Sequence, residues 1–366
     1  MLPKHNLHFP LIISLSLFLL TITTNPIEEL TKLIPNITQT EIPSKSFALQ
    51  INSNSPVEDK YILEQLLIDS QPIYFLAIFD GHGGAELSTY ASTHIISFFT
   101  SFYSIQPDCS TFEDKIITSL KESLYKIETT YYTQSLTQFH QGNTKVSSIG
   151  TCALVSIITK HKIFIANIGD SKSKIYSLHN NNYSITKGND VHNARKRTEQ
   201  TRLVTEYPDE PDIYMCVNRK ACYVKGRLQT TRSLGDFHLK HKEFISERAL
   251  YYSHYKSINT TRLPYVLSYP DIKVFDITKQ DEYVVVASDG LWDNVKGWEV
   301  GNVLLESKGD VKYKAYSIVS LCLKKVAGMA RMKVDDVVKI PYGKRRRKVH
   351  DDITMILFDL KEMKLS

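Results

Sequence analysis

Cysteine is scarce in this chain. There are five in 366 residues (Cys109, Cys152, Cys216, Cys222 and Cys322), and none forms a CxxC pair. An odd, scattered set excludes a thiolate zinc module and gives no reason to expect a disulfide framework, so the thiols are read as small buried apolar groups. Long apolar runs are also rare. The longest, LIISLSLFLL with Ile22 just beyond, has an apolar core too short to span a bilayer and shows no amphipathic period. It suits the h-region of a signal peptide or a short membrane anchor. Arginine is missing from the first 40 residues, which argues against a mitochondrial presequence. Residues 1–22 are therefore expected to be a leader that associates with a membrane through residues 9–22 or enters the secretory pathway. Mitochondrial and cytoplasmic residence are the alternatives. Residues 23–45, polar and carrying Pro26, Pro35 and Pro43, read as a linker, and 46–362 as one folded domain.

A broad excess of one charge is missing too. The net charge is +6, from 45 basic and 39 acidic residues. Lys339, Lys344, Arg345, Arg346, Arg347 and Lys348 alone account for six positive charges, so the excess is local. No nucleic-acid module or basic face accompanies it, and no nucleic-acid partner is expected. The KRRRK run reads as a solvated loop before the last strand.

Hydrophobic periodicity then gives the elements. SFALQI and YILEQLLI read as strands around a turn containing Pro56, and IYFLAIF (73–79) as a buried strand that stops at Asp80-Gly81. A helix is expected over about 85–102. Another carries Ile116, Leu120, Leu124, Ile127 and Tyr131 on one face. Strands follow at 151–158, 162–167 and 175–178, then a polar stretch over 188–225 with a short helix. YVVVA (283–287) ends at Asp289-Gly290, Ala315 to Met329 line a late helix, and a last strand covers 353–360. Strands in groups separated by paired helices favour two packed sheets flanked by helices over a βαβ fold.

Three segments share one design, a hydrophobic strand whose edge carries an aspartate. AIFDGHGG holds Asp80, VVVASDGLWDN holds Asp289 and Asp293, and HDDITMILF holds Asp351 and Asp352. ANIGDSKS sets Asp170 in a similar place. A single Asp-Gly is a turn. Four such segments with intact strands point to carboxylates that converge on hard divalent cations such as magnesium or manganese. Elsewhere the bland readings hold: Trp292 is expected in the core, and Arg232 is expected to pin its loop.

In chain order, FDGHGG, SSIGTCALV, ANIGDSKS, TTRSLGDF, VVVASDGLWD and HDDITM resemble the successive motifs of the protein phosphatase 2C family, over about 47–360. The resemblance implies an α+β fold, a four-layer α/β/β/α sandwich of two antiparallel sheets between helices, with 46–362 as the phosphatase domain. It implies hydrolysis of phosphoserine and phosphothreonine on a phosphoprotein partner, with two magnesium or manganese ions and a weaker third site. Asp80 resembles the carboxylate that bridges both metals. The Gly81 carbonyl resembles a ligand of one metal, and Asp289 and Asp351 resemble ligands of the other. Glu58 and Asp59 resemble the acidic pair that contacts metal-bound water, and Asp170 and Asp293 the third site. His82 follows the bridging aspartate, as the family's proposed general acid does. A paired metal site lowers the pKa of water and shields the phosphoryl oxygens. The departing alkoxide still needs a proton, which a histidine supplies near neutral pH. A monomer is expected.

One position departs from the pattern. Most members carry arginine four residues before the first acidic residue, to hold the substrate phosphate; here that residue is Asn54. The branch typified by pyruvate dehydrogenase phosphatase also has asparagine there. The VHNA segment (191–194), VKGRLQTTRSLGDFHLK and LPYVLSYPDI resemble that branch too. Two other classes compete. A phosphatase-fold scaffold without turnover would have lost its metal aspartates, and none is lost. A carboxylate-cluster nuclease would show a basic groove and another motif order.

Overall fold

Strand Gln71–Phe79 shows how the layers arise. Side chains alternate across a strand, so Ile73, Phe75, Ala77 and Phe79 face one side while Tyr74, Leu76 and Ile78 face the other, and all seven are buried. A strand apolar on both faces needs cover on both. The computed structural model describes residues 25–35, 37–107, 110–218, 221–245 and 262–364. The expected leader (1–22) and Cys109 lie outside those residues. No described helix is long and apolar enough to cross a membrane.

One sheet has five antiparallel strands in the spatial order Asp271–Asp276, Lys162–Ile168, Ala153–Ile158, Gln71–Phe79, Lys60–Ile68. The helices Glu86–Ser104 and Phe112–His140 cover its outer face through Ala91, Ile95, Phe99, Ile116, Leu120 and Leu124. The other sheet has six antiparallel strands in the order Thr38–Ile42, Ser46–Ile51, Ile353–Asp359, Asp281–Ala287, Lys172–His179, Asn182–Lys187. Helix Val311–Ala330 packs on it through Ala315, Ile318, Val319 and Leu323. Between the sheets, Leu76, Ile78, Leu154 and Ile165 meet Val284, Val286, Ile356 and Phe358. The four-layer sandwich follows, as the strand and helix patterns imply.

Several expectations need correction. Residues 25–45 are not a bare linker. Asn25 Oδ1 accepts the Ile27 amide at 3.0 Å, and Pro26 opens a helix over Pro26–Leu33 whose Leu30 is buried. Thr38–Ile42 then pairs antiparallel with Ser46–Ile51. Proline at the first helical position costs nothing, because its missing amide had no helical partner to lose. A disulfide is also present. Cys216 and Cys222 face each other across the hairpin formed by Tyr214–Asn218 and Ala221–Val224 and are bonded, while Cys152 and Cys322 are buried free thiols. The KRRRK run is not fully solvated. Lys344–Arg347 is a short helix in which Arg346 is 1% exposed, its Nε donating to His350 Nε2 at 3.1 Å.

Candidate metal centre

The catalytic candidates lie where strands of both sheets end. Asp80 follows Gln71–Phe79, Asp170 follows Lys162–Ile168, and Asp289 follows Asp281–Ala287. Cys152 donates its amide to the Asp80 carbonyl at 2.9 Å, which fixes the backbone at the strand's end. One carboxylate oxygen from each of Asp80, Asp170 and Asp289 lies within 4.8 Å of the others. Burial raises the Asp80 pKa well above the usual range, and the charges of Asp289, Asp59 and Asp170 raise it further. Burial pushes Asp289 up to about 7, with Asp170 and Asp293 adding to it. Asp170 accepts from Asn193 Nδ2 at 2.7 Å.

Asp351, expected beside Asp80 and Asp289, is not in that group of three. Its carboxylate forms an ion pair with Arg347 one helical turn earlier. Its neighbour Asp352, grouped in the sequence with the strand-edge aspartates, is buried and instead ties a loop to the site. Its Oδ1 accepts from the amides of Ser53 (2.5 Å) and Asn54 (2.9 Å). Its Oδ2 accepts from Asn54 Nδ2 (3.0 Å) and the Glu58 amide (2.9 Å). Asn54 is therefore committed to Asp352. The doubled aspartate before the last strand was the available signal.

Glu58 and Asp59 sit on that tethered loop. Burial raises the Glu58 pKa, with Arg347 opposing and Asp352 adding. Burial also raises Asp59, which accepts from Thr354 Oγ1 at 2.6 Å. Gly81 lies under the same loop: a Cβ there would come within 2.4 Å of the Glu58 carbonyl oxygen, so no side chain fits without moving backbone. Asp293 is half exposed, with Lys172 Nζ at 3.6 Å and Arg195 Nη2 at 3.8 Å.

His82 has a partner that its motif did not reveal. Its Nε2 lies 2.8 Å from Oδ2 of buried Asp236, in the LGD segment, and Ser233 Oγ donates to the same oxygen at 2.5 Å. Burial alone would lower the His82 pKa. The charge and hydrogen bond of Asp236 outweigh it, and the net shift is upward. Gly150 makes room for the pair, since a Cβ there would lie 2.2 Å from Asp236 Oδ2 and 2.4 Å from His82 Nε2. Behind it, buried Glu128 accepts from the Gly235 amide (2.7 Å) and from Lys240 Nζ (2.6 Å), which fixes the backbone next to Asp236. Arg232 pins its own loop, with Nη1 donating to Asp271 Oδ1 at 2.8 Å and to the Tyr269 carbonyl at 3.2 Å. Trp292 is buried, and its Nε1 donates to the Lys172 carbonyl at 2.8 Å.

Asp80, Asp170 and Asp289 form a clustered hard-oxygen donor set whose mutual repulsion a divalent cation would relieve, so the residues present fit magnesium or manganese. Comparison with known proteins agrees. The sequence profile of the family described as protein phosphatase 2C matches residues 50–306. The chain is 29% identical over 313 residues to "Probable protein phosphatase 2C 64" of Arabidopsis thaliana, covering 84% of this chain and 75% of that protein. It is 28% identical over 313 residues to "Probable protein phosphatase 2C 43" of Oryza sativa subsp. japonica, covering 85% and 76%. Its fold is similar to the solved serine-threonine phosphatase 2C of Toxoplasma gondii, with a TM-score of 0.58 at 15% identity over 87% of this chain and 96% of that one. Strand-end carboxylates at the seam of two antiparallel sheets and a profile spanning most of the domain lead to one conclusion: the chain belongs to the protein phosphatase 2C family, the magnesium- or manganese-dependent serine/threonine protein phosphatases.

Proposed function

We propose that residues 46–362 form the catalytic unit and that two divalent cations bind at the seam, with a third, weaker site beside them. The observation that carries this reading is the approach of Asp80, Asp170 and Asp289 to within 4.8 Å. Asp80 would bridge the pair, the Gly81 carbonyl would serve one ion, and Asp289 and Asp351 the other. Asp170 and Asp293 would serve the third site, and Glu58 and Asp59 would orient water. When bound, the cations supply the charge that activates water and shields the phosphoryl group. The chain's own residues do the rest. Asp236 holds the His82 imidazole in place and favours its protonated form, and His82 gives that proton to the departing serine or threonine oxygen. The substrate is a phosphoprotein, turned over by a monomer.

With manganese, the protein is expected to hydrolyse phosphoserine and phosphothreonine peptides, and EDTA should stop it. Asp80→Asn should lower both turnover and metal affinity by more than the roughly 10–100-fold typical of an outer-shell change, and Asp293→Asn by less. Calorimetric manganese titration alongside peptide kinetics checks the ranking. A larger loss for Asp293→Asn would overturn it.

His82→Gln should slow phosphopeptide hydrolysis by roughly 10²-fold, because an alkoxide leaves poorly without a proton. An aryl phosphate, with its acidic phenol, should be much less affected. Equal losses on both substrates, at unchanged metal affinity, would remove His82 as the acid.

The finer placement next to the pyruvate dehydrogenase phosphatase-like branch is supported by Asn54, whose amide serves Asp352. Asn54→Arg introduces the residue that the family resemblance implies at this position, yet it breaks that tether, so activity should fall severalfold. A gain in kcat/KM would count against this placement.

Residues 1–22 are proposed to direct membrane association or secretion, on the strength of the apolar core before Ile22. A fusion of residues 1–45 to a fluorescent reporter tests this, and a diffuse cytosolic signal would overturn it.

A further inference from the structure

A cleft of about 350 Å³ opens at the tethered loop that carries Glu58. Its walls are the tethered loop carrying Asn54 and Glu58, the turn at Gly83 and Gly84, and the short helix Lys344–Arg347, with Lys145 at its edge. Three cations line it, namely Lys145, Lys344 and Arg347. Of the two acidic residues there, Glu58 belongs to the proposed metal site and Glu86 lies at the base of a helix. Arg347 contributes Nη1 to the Asp351 carboxylate. Its other nitrogens, like the ammonium groups of Lys145 and Lys344, have no ion-pair or hydrogen-bond partner among the described residues.

The same cleft holds Asn54, at the position where the resemblance to the phosphatase family implies a phosphate-binding arginine. Asn54 carries no charge, and its amide is spent on Asp352. The cations that meet a substrate's anionic groups must come from elsewhere, and those lining the cleft belong to two other segments of the chain. We propose that this cleft receives the acidic flank of a phosphopeptide, with Lys145, Lys344 and Arg347 pairing with the carboxylates that adjoin the phosphorylated residue. The proposal names a substrate class for the assigned site and rests on that assignment. Half-exposed charges are cheap to pair because little desolvation is involved, and their effect is discrimination between substrates rather than tight binding.

The test uses two labelled phosphoserine peptides, one with glutamates flanking the phosphoserine and one with glutamines in their place. Binding to the full-length protein is read by fluorescence anisotropy in EDTA, and kcat/KM is read with manganese. The acidic peptide should bind roughly tenfold more tightly at low salt, and about 0.5 M salt should erase most of the preference. Lys145→Gln/Lys344→Gln, with both changes on the surface and the melting midpoint as a folding check, should reduce the ratio to about twofold or less. Arg347 is left out of that variant because it also touches Asp351. Equal affinity for the two peptides in the wild type, or an unchanged ratio in the double variant, would overturn the proposal. Hydrolysis of both peptides without preference would count against the cleft alone. A binding preference with no hydrolysis would support the cleft and count against the metal-site reading.

Discussion

The three carboxylates held close together at one end of the sandwich constrain everything around them. At separations below 4.8 Å, two unit charges repel by at least about 3–4 kcal/mol at an effective dielectric of 20. An unconstrained loop would swing such groups apart. Here each aspartate continues a strand whose register is fixed by neighbours on both sides. The sheets carrying them are locked face to face by Leu76, Ile78, Val284, Val286 and Ile356, all fully buried. Core packing thus opposes the repulsion, and a cation that relieves it also favours the folded state. The upward shifts at Asp80 and Asp289 follow from that enforced proximity and burial, and they fit the proposed cation site.

The rest of the site is placed by indirect supports of the same kind. Asp352 gathers four donors from Ser53, Asn54 and Glu58, and so carries a mobile kind of segment, a loop before a strand, to a fixed height above the cluster. Glu128 does the equivalent for Asp236, through the Gly235 amide. In each case a buried carboxylate is satisfied by several donors, the condition under which a charge can be left inside a protein. The two supports explain why residues far apart in the chain, Glu58 and His82 among them, sit beside the same cluster.

The layers were legible in the sequence because they follow from two periods. Alternation in Gln71–Phe79 and one-face spacing in the helices each leave few arrangements that bury the apolar side. Strand-end aspartates were legible for the same reason, since the end of a buried strand is a fixed place. What depends on long-range pairing was not. Asp236 lies 154 residues from His82, and nothing local marks it as a partner. The Cys216–Cys222 bond was obscured by counting parity over the whole chain, when the two residues simply face each other across one hairpin. Pro26 looked like a linker residue because proline opens helices as readily as it interrupts them.

The basic run before the last strand shows most clearly why composition misleads. Arg346 and Arg347 are adjacent and chemically identical, and a charge count treats them as one solvated patch. On the short helix they point to different surroundings. Arg346 turns inward, where its Nη1 donates to the Val338 carbonyl at 3.2 Å and its guanidinium lies 4.8 Å from the centre of the Tyr342 ring. That burial anchors the helix, and the Gly343 amide fastens its start to the Ser53 carbonyl at 2.7 Å, on the same loop that Asp352 holds. Arg347 is then presented, at 40% exposure, between Asp351 and the cleft. One arginine sets the position from which the other can act, and the division follows from a rotation of about 100° per residue along a helix.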